Sequence, residues 1–442
     1  MNSKRVKKGD ILVIGLALFS MLFGAGNVIF PPYLGMQAGG QWLGAFVAYY
    51  TVAIGLALLA MYALMKMGGT DGITGRLGGF FSAILMTAIV LCLGPMLCIP
   101  RTAATTHELA VQVLAPSVPP IVTAIVFFAI IFALCIKESA IVDIVGKFLT
   151  PAMLVGLLVL IVMGIVSPID EIPAHPQISR VMVSAVDAGY QTMDTLGAML
   201  FGGILLGSIA AKGYTDRASE RKAFFGASVI AGTLLFAVYI GLVYLGATVS
   251  GIYDGSVTRA TLVLGIVEAL MGRAGVVVLG IVVSLACITT AVALTSASAK
   301  YFSKMSGGRV GYPVMLALMC VTSVAIAAMG LDTIINVASP ILNIVYPPML
   351  ILVCVAVFAP ELPDYISRSM VAGAVITVVL GMLDSYGIGG GALRFANDLP
   401  LSNLSMGWLL PALIFGAAAF GLSHVHAGGK HHHGHFFPVG GR

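Results

Sequence analysis

One acidic residue lies inside a long apolar stretch of this chain. Asp194 occupies the segment Thr192-Met193-Asp194-Thr195-Leu196-Gly197, between two runs of apolar residues. A carboxylate in such surroundings is costly and usually faces a cavity between helices. It can bind a cation, carry a coupling proton or accept hydrogen bonds from backbone amides of an interrupted helix. The residues alone leave these roles open and favour ion or proton coupling over a structural role.

A second apolar stretch, near the N-terminus, is also interrupted by small and polar residues. The interruption consists of Gly24, Ala25, Gly26 and Asn27. Glycines weaken a helix, and the backbone N–H groups of a helix that restarts there attract an anionic group. The segment therefore predicts a site for a substrate carboxylate. A kinked helix with closely packed glycines is the alternative interpretation.

Two adjacent hydroxyls suggest a cation site further along the chain. Thr289 and Thr290 follow Ala286 by three and four residues. On a helix these positions share one face, so both hydroxyls and the Ala286 carbonyl can converge on one ion. Na⁺ is a hard cation, and an all-oxygen site needs no carboxylate when a broken helix supplies further carbonyls. Threonines that bond to their own helix are the alternative.

One arginine also lies within an apolar stretch. Arg101 directly follows Pro100. It is expected to donate hydrogen bonds to backbone carbonyls or to face an outer vestibule.

The composition defines the surroundings of these residues. Of 442 residues, 59% are hydrophobic and only 9% are charged, and the mean hydropathy is +1.04. Soluble chains are about 45–50% apolar and about 25% charged, so a soluble enzyme or a nucleic-acid-binding protein is excluded. A chain of this length holds roughly 12 membrane spans.

Hydrophobic runs place these spans individually. They are expected near 10–37, 42–65, 79–111, 118–136, 141–166, 186–211, 223–247, 274–301, 311–330, 334–358, 368–386 and 404–424. With a cytoplasmic N-terminus, eighteen Lys and Arg residues fall on the cytoplasmic side and five on the other. This bias predicts an inner-membrane protein with both termini in the cytoplasm. The apolar patch at 260–271 is expected to form an external helix on the bundle.

The two interrupted spans indicate an internal repeat. They are the first and the sixth, and an offset of five spans gives the two halves opposite orientations in the membrane. Residues 10–166 and 167–358 are therefore predicted to form two inverted repeats, followed by two further spans over 359–424. Residues 1–9 and 425–442 are predicted to be cytoplasmic tails. The His-rich end is more typical of a disordered tail than of a metal site.

Several motifs of the chain, in order, resemble one bacterial family. They are 19–32 (FSMLFGAGNVIFPP), 99–103 (IPRTA), 189–194 (GYQTMD), 289–296 (TTAVALTS) and 346–348 (YPP). Together they resemble the branched-chain amino acid:cation symporters, the BrnQ-type carriers of the LIVCS family. The resemblance covers residues 10 to about 424. It implies an all-α integral membrane fold of the LeuT type, with five-plus-five inverted repeats and two additional helices. It also implies import of leucine, isoleucine and valine with Na⁺ or H⁺.

The breaks and the resemblance together define a set of candidate site residues. The predicted substrate-binding residues are Gly24, Ala25, Gly26, Asn27, Asp194, Thr195, Leu196 and Gly197. For the cation, the resemblance adds the carbonyls of Ser20 and Phe23 to Ala286, Thr289 and Thr290.

The remaining expectations concern partners and rival functions. No ATP-binding motif and no nucleophile with a paired base is evident, so no enzyme activity is expected. The expected ligands are a branched-chain amino acid and a coupling ion, with no other cofactor and no nucleic acid. The chain is expected to work in the lipid bilayer as a monomer or a weak homo-oligomer. The rivals are a related symporter for another neutral solute and a channel.

Overall fold

A computed structural model describes residues 6–136, 141–388 and 391–429 of the chain. Every regular element in these residues is helical, as the high hydropathy requires of a membrane protein without a barrel. The first ten helices are α1 (Lys8–Leu22), α2 (Gly26–Ala38), α3 (Trp42–Tyr50), α4 (Leu56–Met67), α5 (Thr70–Thr74), α6 (Gly79–Leu91), α7 (Cys98–Thr106), α8 (Gln112–Leu114), α9 (Pro120–Ile136) and α10 (Ile141–Val166).

Eight further helices follow in the described chain. They are α11 (Val181–Thr192), α12 (Asp194–Ala211), α13 (Arg217–Ala247), α14 (Arg259–Met305), α15 (Tyr312–Ala327), α16 (Leu331–Phe358), α17 (Asp364–Ser385) and α18 (Leu409–Gly429). Single π-helical turns join α3 to α4, α6 to α7, and α7 to α8, at Thr51–Gly55, Cys92–Met96 and His107–Val111. Short 3₁₀ turns lie at Gly39–Gln41, Gly75–Leu77, Arg394–Ala396 and Ser402–Leu404.

Seven helical segments in the described residues, some of them bent or interrupted, are long and apolar enough to cross a membrane. They are Gly26–Met67, Gly79–Leu114, Val181–Ala211, Arg217–Ala247, Arg259–Met305, Leu331–Phe358 and Asp364–Ser385. Four shorter apolar helices accompany them, at Pro120–Ile136, Met153–Val166, Tyr312–Ala327 and Leu409–Leu422. Many large apolar side chains point outward, such as Val321 with 70% of its surface exposed. An apolar exterior of this kind is what a lipid-facing surface requires. The protein is therefore a multi-pass membrane protein.

Backbone contacts between α2 and α13 fix the start of the site. A Cβ atom added at Gly35 would overlap the carbonyl of Val243, and one added at Gly246 would overlap the carbonyl of Pro32. The two helices thus pack with their backbones in contact, as small residues allow in membrane bundles.

At the other end of α13, the Asp216 carboxylate accepts the backbone N–H of Ser219 at 3.0 Å. Hydrogen bonds from the backbone and the side chain of Ser219 lower the pKa of Asp216 below its usual value.

The apolar patch at 260–271 forms the first part of α14. The helix bends sharply at Gly272, where φ is 66° and ψ is −171°. Glycine adopts this left-handed conformation without a steric penalty. One face of the first part is buried, through Ala260, Leu262, Val263, Ile266 and Val267. The patch therefore packs against the bundle as a separate arm before the longer part of α14 begins.

Candidate functional site at two helix breaks

The first break separates α1 from α2. Phe23 is extended, with φ −99° and ψ 98°, and its N–H donates the last hydrogen bond of α1 to Phe19 at 2.9 Å. The backbone N–H of Asn27 donates to the Gly24 carbonyl at 3.1 Å, three residues back. The Phe23 carbonyl is therefore not used in the four-residue helical pattern, and the N-terminal amides of α2 begin at the break.

The second break separates α11 from α12 at a single residue. Met193 adopts a left-handed conformation, with φ 60° and ψ 17°, and Asp194 is the first residue of α12. This conformation costs a non-glycine residue about 1–2 kcal/mol. The carboxylate of Asp194 therefore lies at the positive end of the α12 dipole, where a negative charge is stabilised.

One side chain connects the two breaks. The Asn27 amide nitrogen donates to Asp194 Oδ2 at 3.1 Å and to the Leu22 carbonyl at 2.5 Å. It also contacts the hydroxyl of Tyr239 on α13. Asn27 and Asp194 are both buried, with 1% and 8% of their surfaces exposed. Because a single amide spans both breaks and α13, a shift of either half-helix changes its hydrogen bonds.

A small cavity, which we call the central cavity, lies between the two breaks. It is also bordered by the π turn at Cys92–Met96, by α7 and by α14. The residues that line it are Met21, Gly24, Ala25, Gly26, Asn27, Leu93, Cys98, Arg101, Thr102, Thr192, Met193, Asp194, Gly197, Phe201, Thr290 and Leu294. It thus combines polar groups at the breaks with an apolar wall.

Most of the predicted substrate residues line this cavity. Gly24, Ala25, Gly26, Asn27, Asp194 and Gly197 do so. Thr195 and Leu196 are fully buried and are absent from its lining. The Thr195 hydroxyl donates instead to the Val52 carbonyl at 3.4 Å, in the π turn between α3 and α4. Sequence position within a break therefore does not decide which way a side chain faces.

Of the two predicted cation hydroxyls, that of Thr290 lies beside the first break, whereas that of Thr289 bonds within its own helix. A Cβ atom placed at Gly24 would lie 3.9 Å from the Thr290 hydroxyl, which brings Thr290 next to the first break. The Thr289 hydroxyl donates to the Ala286 carbonyl of its own helix at 2.8 Å. Ala286 and Phe23 are buried, and Ser20 is half-buried. The donor set consists only of oxygens, which suits a hard cation such as Na⁺.

Arg101 and Tyr239 contribute to the site more than the sequence indicated. Arg101 does donate to a carbonyl, that of Gln191 at 2.7 Å, but it also lines the central cavity. Tyr239 is one of several aromatic residues in the apolar stretch of α13, and no local pattern distinguishes it from the others. Its role depends on the packing of α13 against the first break.

A second cavity lies on the other side of the Phe30 ring, which Arg101 contacts. Phe30, Gln191, Arg259 and Ile335 are among its lining residues. The Gln191 side chain donates to the Ile335 carbonyl at 3.1 Å, which connects α11 to α16. The Phe30 ring lies between two guanidinium groups, with Arg101 at 5.4 Å and Arg259 at 5.9 Å from its centroid. This layer separates the two cavities.

An ion pair outside the central cavity connects the start of α1 to its surroundings. Lys212 Nζ lies 2.9 Å from Asp10 Oδ1, and the Tyr214 hydroxyl donates to Asp10 Oδ2 at 2.7 Å. The backbone N–H of Lys7 donates to the same hydroxyl at 3.1 Å. The beginning of α1 is thereby connected to the loop between α12 and α13.

Two interrupted helices around a buried polar cavity are the arrangement of membrane transporters that bind their substrate near mid-membrane. Solved structures of similar fold are known. Mhp1, a nucleobase-cation-symport-1 family transporter in a closed conformation, matches with a TM-score of 0.62 at 13% identity, over 92% of this chain and 93% of that one. A Na⁺-coupled sialic acid symporter matches with a TM-score of 0.56 at 13% identity, over 94% and 91%. At such identities the likeness concerns the fold, which is of the LeuT type.

The sequence comparisons identify the family. The profile of the branched-chain amino acid transport protein family matches residues 7–425. The branched-chain amino acid transport system 2 carrier protein of Pseudomonas aeruginosa is 33% identical over 417 residues, which cover 92% of this chain and 95% of the relative. The chain belongs to this family of membrane transport proteins, and the resemblance noted in the sequence is confirmed.

Proposed function

We propose that the protein imports leucine, isoleucine and valine together with Na⁺ or H⁺ by alternating access. Family membership and the name of the Pseudomonas aeruginosa relative, a branched-chain amino acid carrier, support the substrate class. One observation carries the proposal for this chain: both helix breaks meet at a single buried cavity, connected by Asn27 and Asp194. A ligand bound there contacts both half-helices at once, so its binding energy can drive their relative movement.

The proposed topology has twelve spans, with both termini in the cytoplasm of the inner membrane. Residues 10–166 and 167–358 form the inverted repeats, and 359–424 form the two additional spans. The breaks at Phe23–Ala25 and at Met193 support this division, because each interrupts the first proposed span of its half. The N-terminal tail is only partly described, and the His-rich end from 430 lies outside the described residues.

The amino acid is proposed to lie across the two breaks. Its carboxylate faces the N-terminal amides of α2 at Gly26, and its ammonium group faces Asp194. The aliphatic side chain contacts the apolar lining, which includes Leu93 and Phe201. A hydrophobic pocket discriminates one methylene by only about 1–3 kcal/mol, so leucine, isoleucine and valine all compete for the site.

The coupling ion is proposed to lie beside the first break. Thr290, Thr289 and the Ala286 carbonyl form one side, and the carbonyls of Ser20 and Phe23 form the other. The extended Phe23 supports this arrangement, because its carbonyl is outside the helical hydrogen-bond pattern. Asp194 is the group for proton coupling, since its carboxylate titrates whereas the threonine hydroxyls do not.

Uptake into proteoliposomes tests the proposal. Purified protein is reconstituted, and radiolabelled leucine uptake is measured with a Na⁺ gradient and with a pH gradient imposed separately. We expect saturable accumulation above the external concentration under one gradient, and competition by isoleucine and valine. Absence of concentrative uptake under both gradients would contradict symport. Leucine flux that does not saturate would indicate a channel.

A further inference from the structure

Arg101 is a buried cation whose hydrogen-bonding capacity is only partly used. Its side chain on α7 is 2% exposed, and Nη1 donates to the Gln191 carbonyl at 2.7 Å. Nε has no hydrogen-bond partner among the described residues. A guanidinium carries five N–H donors and stays charged at every physiological pH. An unpaired buried donor of a charged group is costly, so this geometry indicates a missing acceptor.

The guanidinium lies directly beside the start of α2. A Cβ atom added at Gly26 would lie 3.1 Å from Arg101 Nη2. Gly26 is the first residue of α2, at the positive end of the helix dipole, and the N–H groups of Asn27 and Val28 that follow it donate back to the Gly24 and Ala25 carbonyls at 3.1 and 3.4 Å. A helix N-terminus and a fixed cation, which come from distant parts of the sequence, therefore face the same part of the central cavity.

The charges around the cavity match those of a zwitterion. Arg101 and Asp194 both line it, one positive and one negative when ionised. Asn27 lies next to Gly26 and contacts Asp194 Oδ2 at 3.1 Å, so the acidic group and the start of α2 are close together. An α-amino acid supplies a carboxylate for the guanidinium and an ammonium group for Asp194, whereas a neutral or cationic solute brings no second anion to this cavity.

We propose that Arg101, together with the N-terminal amides of α2, binds the carboxylate of the substrate. This deepens the proposed function, on which it rests, because it makes the α-carboxylate a major source of binding energy. The site then binds zwitterionic amino acids more tightly than the same side chain on an amide or an alcohol.

A purely structural role for Arg101 makes a different prediction. Gln191 lies in the last turn of α11, and a guanidinium that bonds to its carbonyl also stabilises that helix end. Loss of that bond displaces the second break and weakens every ligand of the cavity to the same extent. Loss of a carboxylate contact weakens only ligands that carry a carboxylate.

The test compares leucine with leucinamide, which keeps the side chain and the ammonium group but has no carboxylate. Binding of both to the purified protein in nanodiscs is measured by calorimetry, at saturating Na⁺ and at two pH values. We expect Arg101→Gln to weaken leucine binding about 10- to 100-fold and leucinamide binding by less than about threefold. An equal loss for both ligands, or no loss for leucine, would overturn the assignment.

Arg259→Gln is the matched control, because this arginine contacts the same Phe30 ring from the second cavity. It should leave the leucine-to-leucinamide affinity ratio unchanged. If Arg101→Gln does not fold, Arg101→Lys carries the same comparison, since it keeps the charge and loses the planar fork. A wild-type protein that binds no leucine would contradict the proposed function itself, whereas leucine binding with an unchanged ratio in the Arg101 variants would contradict only this inference.

Discussion

The two helix breaks differ in both their residues and their backbone conformations, although both border the central cavity. Between α1 and α2, the chain leaves the helix at an extended Phe23 and resumes after Gly24, where an added Cβ atom would meet nothing closer than 3.8 Å. Between α11 and α12, the chain turns through the left-handed Met193, whose side chain is 1% exposed. The first break is therefore encoded locally by weak helix formers. The second break places a non-glycine residue in an unfavourable left-handed conformation, which the packing around its buried side chain maintains.

This difference separates what each break contributes. The first supplies space, because glycine allows the guanidinium of Arg101 and the ring of Phe30 to approach the start of α2. The second supplies a charge, because it places Asp194 at the start of α12. Substitutions at the two breaks should therefore fail in different ways.

The largest effect is expected from filling the space at the first break. A Cβ atom at Gly26 would lie 3.1 Å from both Arg101 Nη2 and Phe30 Cε2, and Val adds two further carbons. Gly26→Val should therefore abolish leucine binding while the protein still inserts into the membrane. Calorimetry on the purified variant measures this. Gly203→Val is the matched control and should retain leucine affinity, since Gly203 is exposed on α12, outside the cavity lining, and its added Cβ atom meets nothing within 4 Å; unchanged affinity in Gly26→Val would eliminate the site.

Removal of the charge at the second break should uncouple transport without abolishing binding. An Asn side chain keeps an acceptor oxygen but never titrates. Asp194→Asn is therefore expected to lose gradient-driven leucine accumulation and to retain leucine exchange, which needs no net cation movement. Counterflow and uptake in the same proteoliposomes distinguish the two activities. Full concentrative uptake under either gradient would reduce Asp194 to a structural residue.

A smaller effect is expected at the hydroxyls beside the first break, and the structure makes it unequal. Thr290→Val should raise the cation concentration for half-maximal uptake about tenfold, because a ligand to a charged group is lost. Thr289→Val should raise it less, since the Thr289 hydroxyl already bonds to Ala286. Leucine uptake as a function of Na⁺ concentration and of pH measures both. If neither variant changes the cation dependence, both hydroxyls serve only their own helix.

The smallest effect on transport is expected at the turn residue of the second break. Met193→Gly removes a left-handed strain of about 1–2 kcal/mol and a buried side chain worth about 2–5 kcal/mol. The variant should therefore be less stable than the wild type by up to about 4 kcal/mol, the largest difference between those terms. Leucine affinity should change little, because Asp194 remains the first residue of α12. Thermal unfolding and leucine binding provide the two readouts; a more stable variant would show that the side chain contributes less than the strain costs.

The part of this molecule that follows local rules could be predicted from the sequence. Hydrophobic runs identified the positions of the helices, and small or polar residues at 24–27 and 192–197 identified both breaks. Contacts between distant segments could not be predicted in this way. Arg101 reaches Gln191 across 90 positions, and Thr195 reaches Val52 across 143. The direction of these side chains depends on how the helices pack, and no pattern within either segment contains that information.

The backbone contact between α2 and α13 has a mechanical consequence. At Gly35 and Gly246 the two helices meet through main-chain atoms, which have no rotamers with which to adjust. Along α1 the contact with α13 is softer, because Gly15 faces the side chain of Ile230 and Gly226 faces that of Ile11. The first break is therefore expected to act as a hinge between a rigidly packed α2 and a more mobile α1. In the alternating-access motion proposed above, α1 is expected to rotate about Phe23, while the N-terminal N–H groups of α2 keep their position in the membrane.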